Sequence, residues 1–283
     1  MLTHRRRAHT VETQEVAAFT GEGAYHGSTQ RRAPAPGPPP EVVEEMRPTT
    51  LEAYPTPRPI EPFAATFTNL YRVERTLPQP TQEEIRDDGT TLCWCPLETA
   101  LEVSGPLTRR VVEAMRELLV GDKRYVYVDS KLQYFEPGDV PVDSQHWHVD
   151  GSIVARGPQV EALGHALLHD MKARLTGAVP TPRYLAYQSS EHCATLFATE
   201  PLTLELPELI PSFDGLDALV RARAPAQAPQ PASSIVRTDG SSLHRAQAAS
   251  GSGWRLWVRC VETDREVVLN RSILDCYGTV FRT

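Results

Sequence analysis

The chain has 283 residues, 40% hydrophobic and 23% charged, which is the balance of a globular protein with one large domain and tails. Its net charge of −7 argues against a broad non-specific grip on nucleic acid, which needs clustered Lys and Arg, and leaves room only for a local basic cleft. No apolar run approaches the roughly 18–20 residues that span a bilayer, and no apolar segment follows Arg5-Arg6-Arg7 to make a secretory signal. The cysteines, Cys93, Cys95, Cys193, Cys260 and Cys276, are sparse and odd in number. They are expected to be reduced thiols in a cytoplasm rather than a disulfide framework.

Residues 1–62 are expected to form a poorly ordered, proline-rich arm. Its centre, Arg31-Arg32-Ala33-Pro34-Ala35-Pro36-Gly37-Pro38-Pro39-Pro40, can form neither a helix nor a central strand. A solvated tail is the plain reading of such a segment, and a partner-binding arm the functional one. The folded domain is expected over 63–283. A helix is predicted over 105–120, where Val111, Val112, Met115, Leu118 and Leu119 recur at helical spacing before Gly121-Asp122. Strands are predicted at 125–128 and 132–135, from their aromatic and β-branched residues. An amphipathic helix follows over 158–175, with Pro158 in its first turn. Strands at 183–188 and 194–199 flank a turn at Ser189-Ser190-Glu191-His192-Cys193, and 213–222 reads as a short helix. Residues 222–233 are a low-complexity Ala/Pro/Gln loop, a lid or a plain surface insertion. Three more strands are expected at 234–237, 254–261 and 266–269. Many short strands with few helices suggest a mainly β fold with flanking helices, a jelly roll or double-stranded β-helix.

The chemistry concentrates in Gln145-His146-Trp147-His148-Val149-Asp150-Gly151. His148 and Asp150 flank one residue, so on an extended segment both point to one side. Two imidazoles and a carboxylate suit an iron(II) centre that keeps three coordination positions open. His244, far downstream, is placed to be the third ligand. A His-x-Asp tripeptide alone is common by chance, and a solvent-facing His beside a strand-end Asp is its plainer reading. Further along, Arg255, Trp257 and Arg259 fall on one face of a strand by alternation. Two arginines on an apolar strand are costly if buried unpaired. They are sensible if one grips a carboxylate through its planar fork; solvent exposure or internal acid partners would also account for them.

Together these residues resemble the iron(II)/2-oxoglutarate-dependent oxygenases. That family carries His-x-Asp, a distal His, and an Arg ten or more residues beyond it for the far carboxylate of 2-oxoglutarate. The resemblance implies His148, Asp150 and His244 as metal ligands and Arg255, eleven residues after His244, as the co-substrate clamp. Ala194-Thr195-Leu196-Phe197-Ala198 is similar to a segment of the taurine-dioxygenase-like branch, which makes Thr195 a second 2-oxoglutarate contact; a phytanoyl-hydroxylase-like membership is the other branch. Arg259 falls where the former branch has an arginine near the substrate. The motifs cover roughly residues 130–262, and the stretch between Asp150 and Thr195 is longer than in the family pattern. The implied activity uses Fe(II), 2-oxoglutarate and O2 to hydroxylate a small, anionic molecule. Halogenation is disfavoured because Asp150 occupies the acid position. A nucleobase-modifying oxygenase acting on DNA is the alternative substrate reading. A catalytically inactive jelly-roll or cupin-like binding module is the alternative class.

Other motifs carry less. His146-x-His148 resembles the opening metal motif of cupins, but no Glu follows in Ser152-Ile153-Val154-Ala155, so His146 is read as a rim residue. Cys93-Trp94-Cys95 has no second pair at zinc spacing and reads as structural. Glu191-His192-Cys193 reads as a turn with a buried Cys rather than a nucleophile, and Gly21-Glu22-Gly23 lacks a strand–turn–helix setting.

Overall fold

A computed structural model of the chain describes residues 31–32, 61–141, 145–150, 172–206, 213–264, 266 and 279–282. The architecture is mainly β, in antiparallel sheets with a few helices outside. In chain order the strands of the largest sheet are β3 (Arg72–Thr76), β4 (Leu92–Pro96), β5 (Tyr125–Phe135), β7 (Arg183–Gln188), β11 (Ser234–Asp239) and β13 (Gly253–Thr263). They lie side by side as β3-β11-β7-β13-β5-β4. A smaller sheet has the order β10-β8-β12, with β8 at Thr195–Ala198, β10 at Gln227–Pro229 and β12 at His244–Ala246. Two further sheets complete the described strands. β2 (Phe63–Phe67) pairs with β9 (Leu202–Leu206), and β14 (Thr279–Arg282) lies between β1 (Arg31–Arg32) and β6 (Asp139–Val140).

Alternation along the strands of the large sheet gives its two faces opposite characters. Val128, Leu132, Leu185, Tyr187, Ile235, Leu256, Val258 and Cys260 point to one side and form the main core with three helices. These are α1 (Gln82–Asp88), α2 (Leu97–Val103) and α3 (Pro106–Arg116). α3 has Pro106 in its first turn and buries Val111, Val112 and Met115 completely. α1 is opened by a capping box, in which Thr81 and Glu84 satisfy each other's backbone N–H. The opposite face of the large sheet carries Asp129, Gln133, Gln188, Arg255 and Arg259, all buried and all polar. That face looks towards the smaller sheet, where Phe197 packs with Ala186, Val236 and Tyr71. The far side of the smaller sheet is again apolar. Trp147, Val149, Leu196 and Leu243 meet Phe67, Leu204, Leu206 and the buried residues of α4 (Phe213–Arg223). A polar layer is thus held between two apolar ones.

Several expectations are refined. The helix over 105–120 ends at Arg116, and looser turns carry the chain to Gly121, whose φ of 77° requires glycine. The two strands at 125–128 and 132–135 are one eleven-residue strand, because the polar residues between them are paired inside the sheet. Ser130 donates to the Thr90 carbonyl, and Asp129 meets Arg259. The loop at 222–233 is not structureless, since Gln227–Pro229 adds an edge strand to β8. Of the helix over 158–175, only 172–175 lies within the described residues, and it is helical there. Of the strand at 266–269 only Glu266 lies within the described residues, and it is in no strand there; all of the N-terminal arm except residues 31–32 and 61–62 lies outside them. Among the described residues Cys93, Cys95, Cys193 and Cys260 form no disulfide with one another, and no helix is long and apolar enough to cross a membrane.

Gly253 opens β13 with a φ of 148°. A Cβ there would sit 2.8 Å from Gln82 Oε1, which accepts the Trp254 N–H at 2.6 Å. Gly253→Ala is expected to cost about 1–3 kcal/mol in urea unfolding; a loss within experimental error would show that β13 does not depend on this backbone conformation.

Candidate metal centre

His148, Asp150 and His244 converge, with their ligand atoms all within 4.8 Å of one another. Donors around one ion at roughly 2.0–2.2 Å are spread over a similar distance. The convergence begins in the backbone. His148 and His244 form an antiparallel bridge, exchanging N–H···O bonds of 3.0 and 2.9 Å, which adds the 147–150 segment beside β12. The imidazole centroids are 4.3 Å apart. Alternation then puts Asp150 on the same side, with Oδ2 3.6 Å from His244 Nε2. Phe197, opposite His244 in the ladder, stacks on its ring at 5.4 Å.

Each imidazole is fixed through its other nitrogen. His148 Nδ1 lies 2.8 Å from the His146 carbonyl, and His244 Nδ1 lies 3.0 Å from the Ser242 carbonyl. A carbonyl only accepts, so each Nδ1 carries the proton and each Nε2 presents a lone pair to the centre. Burial, with the charge of His244 adding, pushes the His148 imidazole down to about 4, so it is neutral at physiological pH. Burial alone would raise the Asp150 carboxyl. Arg259, then the two imidazoles, outweigh it and hold that carboxyl well below the usual range. The donor set is therefore the neutral His148 imidazole, the His244 imidazole and the Asp150 carboxylate, a combination that suits a divalent first-row metal.

Arg259 lies in the polar layer beside this set. Its Nη1 is 2.7 Å from Asp150 Oδ1, and its Nη2 donates to Asp129 Oδ2 at 2.6 Å. The rings of Trp94, Tyr184 and Trp257 surround the guanidinium at 5.2–5.5 Å. Arg259 thus orients the acid ligand directly. Asp129 also accepts the Trp94 N–H at 2.7 Å, at a bulge in β4 where Trp94 has a φ of 45°. Arg174 supports the other side of the site, with Nη1 donating to the carbonyls of Asp150 and Gly240 at 2.8 and 3.0 Å.

Arg255 lies on the same strand face as Arg259 and is 3% exposed. Its Nη2 donates to Gln188 Oε1 at 3.2 Å, while its Nε is buried without a hydrogen-bond partner. No described carboxylate pairs with it, and burial lowers its pKa. Gln188 Oε1 also accepts the Thr195 N–H at 3.2 Å, so one amide links Arg255 and Thr195. A buried guanidinium with spare donors fits an anionic ligand group.

All the residues singled out from the sequence as ligands or clamps therefore belong to one polar layer. Asp129, Gln188 and Arg174 were not foreseen. For Asp129 a signal existed: it is an acid at the odd positions of a β run whose even positions are Val126, Val128 and Leu132, so it faces the same way as Gln133. His146 contributes its carbonyl. Burial, with Asp129 adding, pushes the Cys95 thiol up to about 11, so it is no ready nucleophile.

Comparison of the chain with protein-family models, characterised proteins and solved structures returned no match.

Proposed function

We propose that the protein is an iron(II)- and 2-oxoglutarate-dependent oxygenase that hydroxylates a small, anionic molecule in the cytoplasm. The observation that carries this reading is the convergence of His148, Asp150 and His244, with both Nε2 atoms left as donors. The facing six-stranded and three-stranded sheets are read as a double-stranded β-helix with the centre between them. His148, Asp150 and His244 would hold the iron. Bound there, the metal and its co-substrate would supply oxygen activation coupled to oxidative decarboxylation of the 2-oxo acid. The chain's own residues do the rest. Arg255 receives the distal carboxylate through donors that no described acid occupies, and Gln188 keeps the guanidinium aligned with Thr195. Arg259 holds Asp150 through Oδ1, leaving Oδ2 directed at the centre. The apolar layers on either side keep water from the reacting positions.

Anaerobic addition of Fe(II) and 2-oxoglutarate is expected to give a visible metal-to-ligand band, and turnover is expected to release succinate. Absence of both 2-oxoglutarate binding and succinate release would refute the proposal, and a band that persists in His148→Ala would refute the ligand assignment. Arg255→Gln is expected to weaken 2-oxoglutarate binding roughly 10- to 100-fold, with Fe(II) binding retained. Equal affinity in calorimetry would remove the clamp.

A further inference from the structure

A cleft of about 330 Å³ is lined by Trp147, Arg221, Ala224, Pro225, Gln227 and Arg245. It lies on the other side of the small sheet from the metal centre. Trp147 precedes His148 and Arg245 follows His244, so along these extended segments their side chains point the opposite way from the histidines. The cleft is built from a chain of contacts. Asp217 Oδ1 accepts the Trp147 N–H at 2.8 Å, and its Oδ2 accepts from Arg221 Nε at 2.5 Å. The Trp147 ring in turn carries the Arg245 guanidinium at 5.4 Å.

The charges in this cleft do not balance. Two guanidiniums face one carboxylate, and that carboxylate is spent on Arg221 and a backbone N–H. Arg245 has no ion pair with a described acid, and its Nε is buried without a hydrogen-bond partner. Burial and then the charge of Arg221 disfavour its charged form and outweigh the opposing pull of Asp217. Cations held together and partly desolvated, with donors unused, are the arrangement an oxyanion completes. The volume is at the small end of those that hold small molecules.

We propose that this cleft binds the phosphate or carboxylate group of a small molecule between Arg221 and Arg245, with Trp147 as its floor. The group would accept from the free donors of both guanidiniums, so two positive charges would be shared by two anions. Because Trp147 and Arg245 are the chain neighbours of His148 and His244, occupancy of the cleft also bears on the metal centre behind it. That coupling rests on the metal reading; anion binding does not.

The test is calorimetric titration of inorganic phosphate, and separately citrate, into the full chain with no metal added. Saturable binding of at least one is expected, at least ~10-fold weaker in Arg245→Gln and also weakened in Arg221→Gln. The component of binding that Arg245→Gln removes is expected to persist in Arg255→Gln, which reports any anion held by the central layer. Which probe binds better tells a phosphate ligand from a carboxylate one. Should Arg245→Gln fail to fold, Arg221→Gln decides, because that side chain is 50% exposed and its loss leaves the core intact. Failure of both probes to bind, binding in the Arg221 and Arg245 variants as tight as in the unaltered chain, or loss confined to Arg255→Gln would overturn the proposal. None of these results depends on iron or 2-oxoglutarate. Addition of Fe(II) to the anion-loaded chain then reads the coupling, as a shift in metal affinity that is absent in Arg245→Gln.

Discussion

His244→Ala is expected to weaken Fe(II) binding by more than ~100-fold, beyond what loss of an outer contact to a ligand costs. The substitution removes one of three donors while leaving the backbone bridge to His148 available, because that bridge uses only N–H and carbonyl groups. The fold is therefore expected to survive, with an unchanged far-ultraviolet spectrum. Asp150 Oδ2 and His148 Nε2 would remain as a two-donor site. Equilibrium dialysis under anaerobic conditions reads the affinity. Binding as tight as in the unaltered chain would place the metal elsewhere, and the oxygenase reading would lose its centre.

Asp129→Ala is expected to cost about 3–5 kcal/mol of stability, the loss typical of removing one partner from a buried ion pair. Asp129 is completely buried, and its carboxylate has two tasks. Oδ2 accepts two donors of Arg259, at 2.6 and 3.2 Å, while Oδ1 accepts the N–H of Trp94. Alanine would leave Arg259 buried with Asp150 as its one described acid partner and would release Trp94 from a backbone conformation that needs support. Asp129→Asn keeps the acceptor for Trp94 and is expected to lose less. Chemical denaturation of both variants measures the difference. A cost below ~1 kcal/mol for alanine would mean that Arg259 is satisfied without this carboxylate.

The site was more legible than the fold around it. His148, Asp150, His244, Arg255 and Arg259 stood out because imidazoles, carboxylates and guanidiniums have chemistry that composition alone does not explain. Their common side followed from strand alternation. The partners were hidden because pairing across a sheet is set by register, not by sequence distance. Asp129 is 130 positions from Arg259, and Gln188 is 67 from Arg255. The strand at Gln227–Pro229 was hidden for a different reason. It draws on Ala, Pro and Gln, which carry no strand signal. Its place comes from its edge position, where Pro229 can forgo a ladder bond, and from Gln230, whose amide donates to the Ala186 and Ser234 carbonyls. The helix at Gln82–Asp88 did have a readable mark, the Thr81-x-x-Glu84 box ahead of Ile85.

The backbone bridge between His148 and His244 joins positions 96 residues apart along the chain. Those two histidines are held as ladder neighbours by the sheet itself, so the ordering entropy of closing that long loop is met by folding rather than by metal capture. The protein should consequently behave unlike a zinc finger, whose chain collapses only around its ion. Chelation is expected to yield an empty but folded protein that reloads quickly. Its metal would then be an exchangeable component whose occupancy follows the free ion in the cell, while the lifetime of the chain is governed by its core.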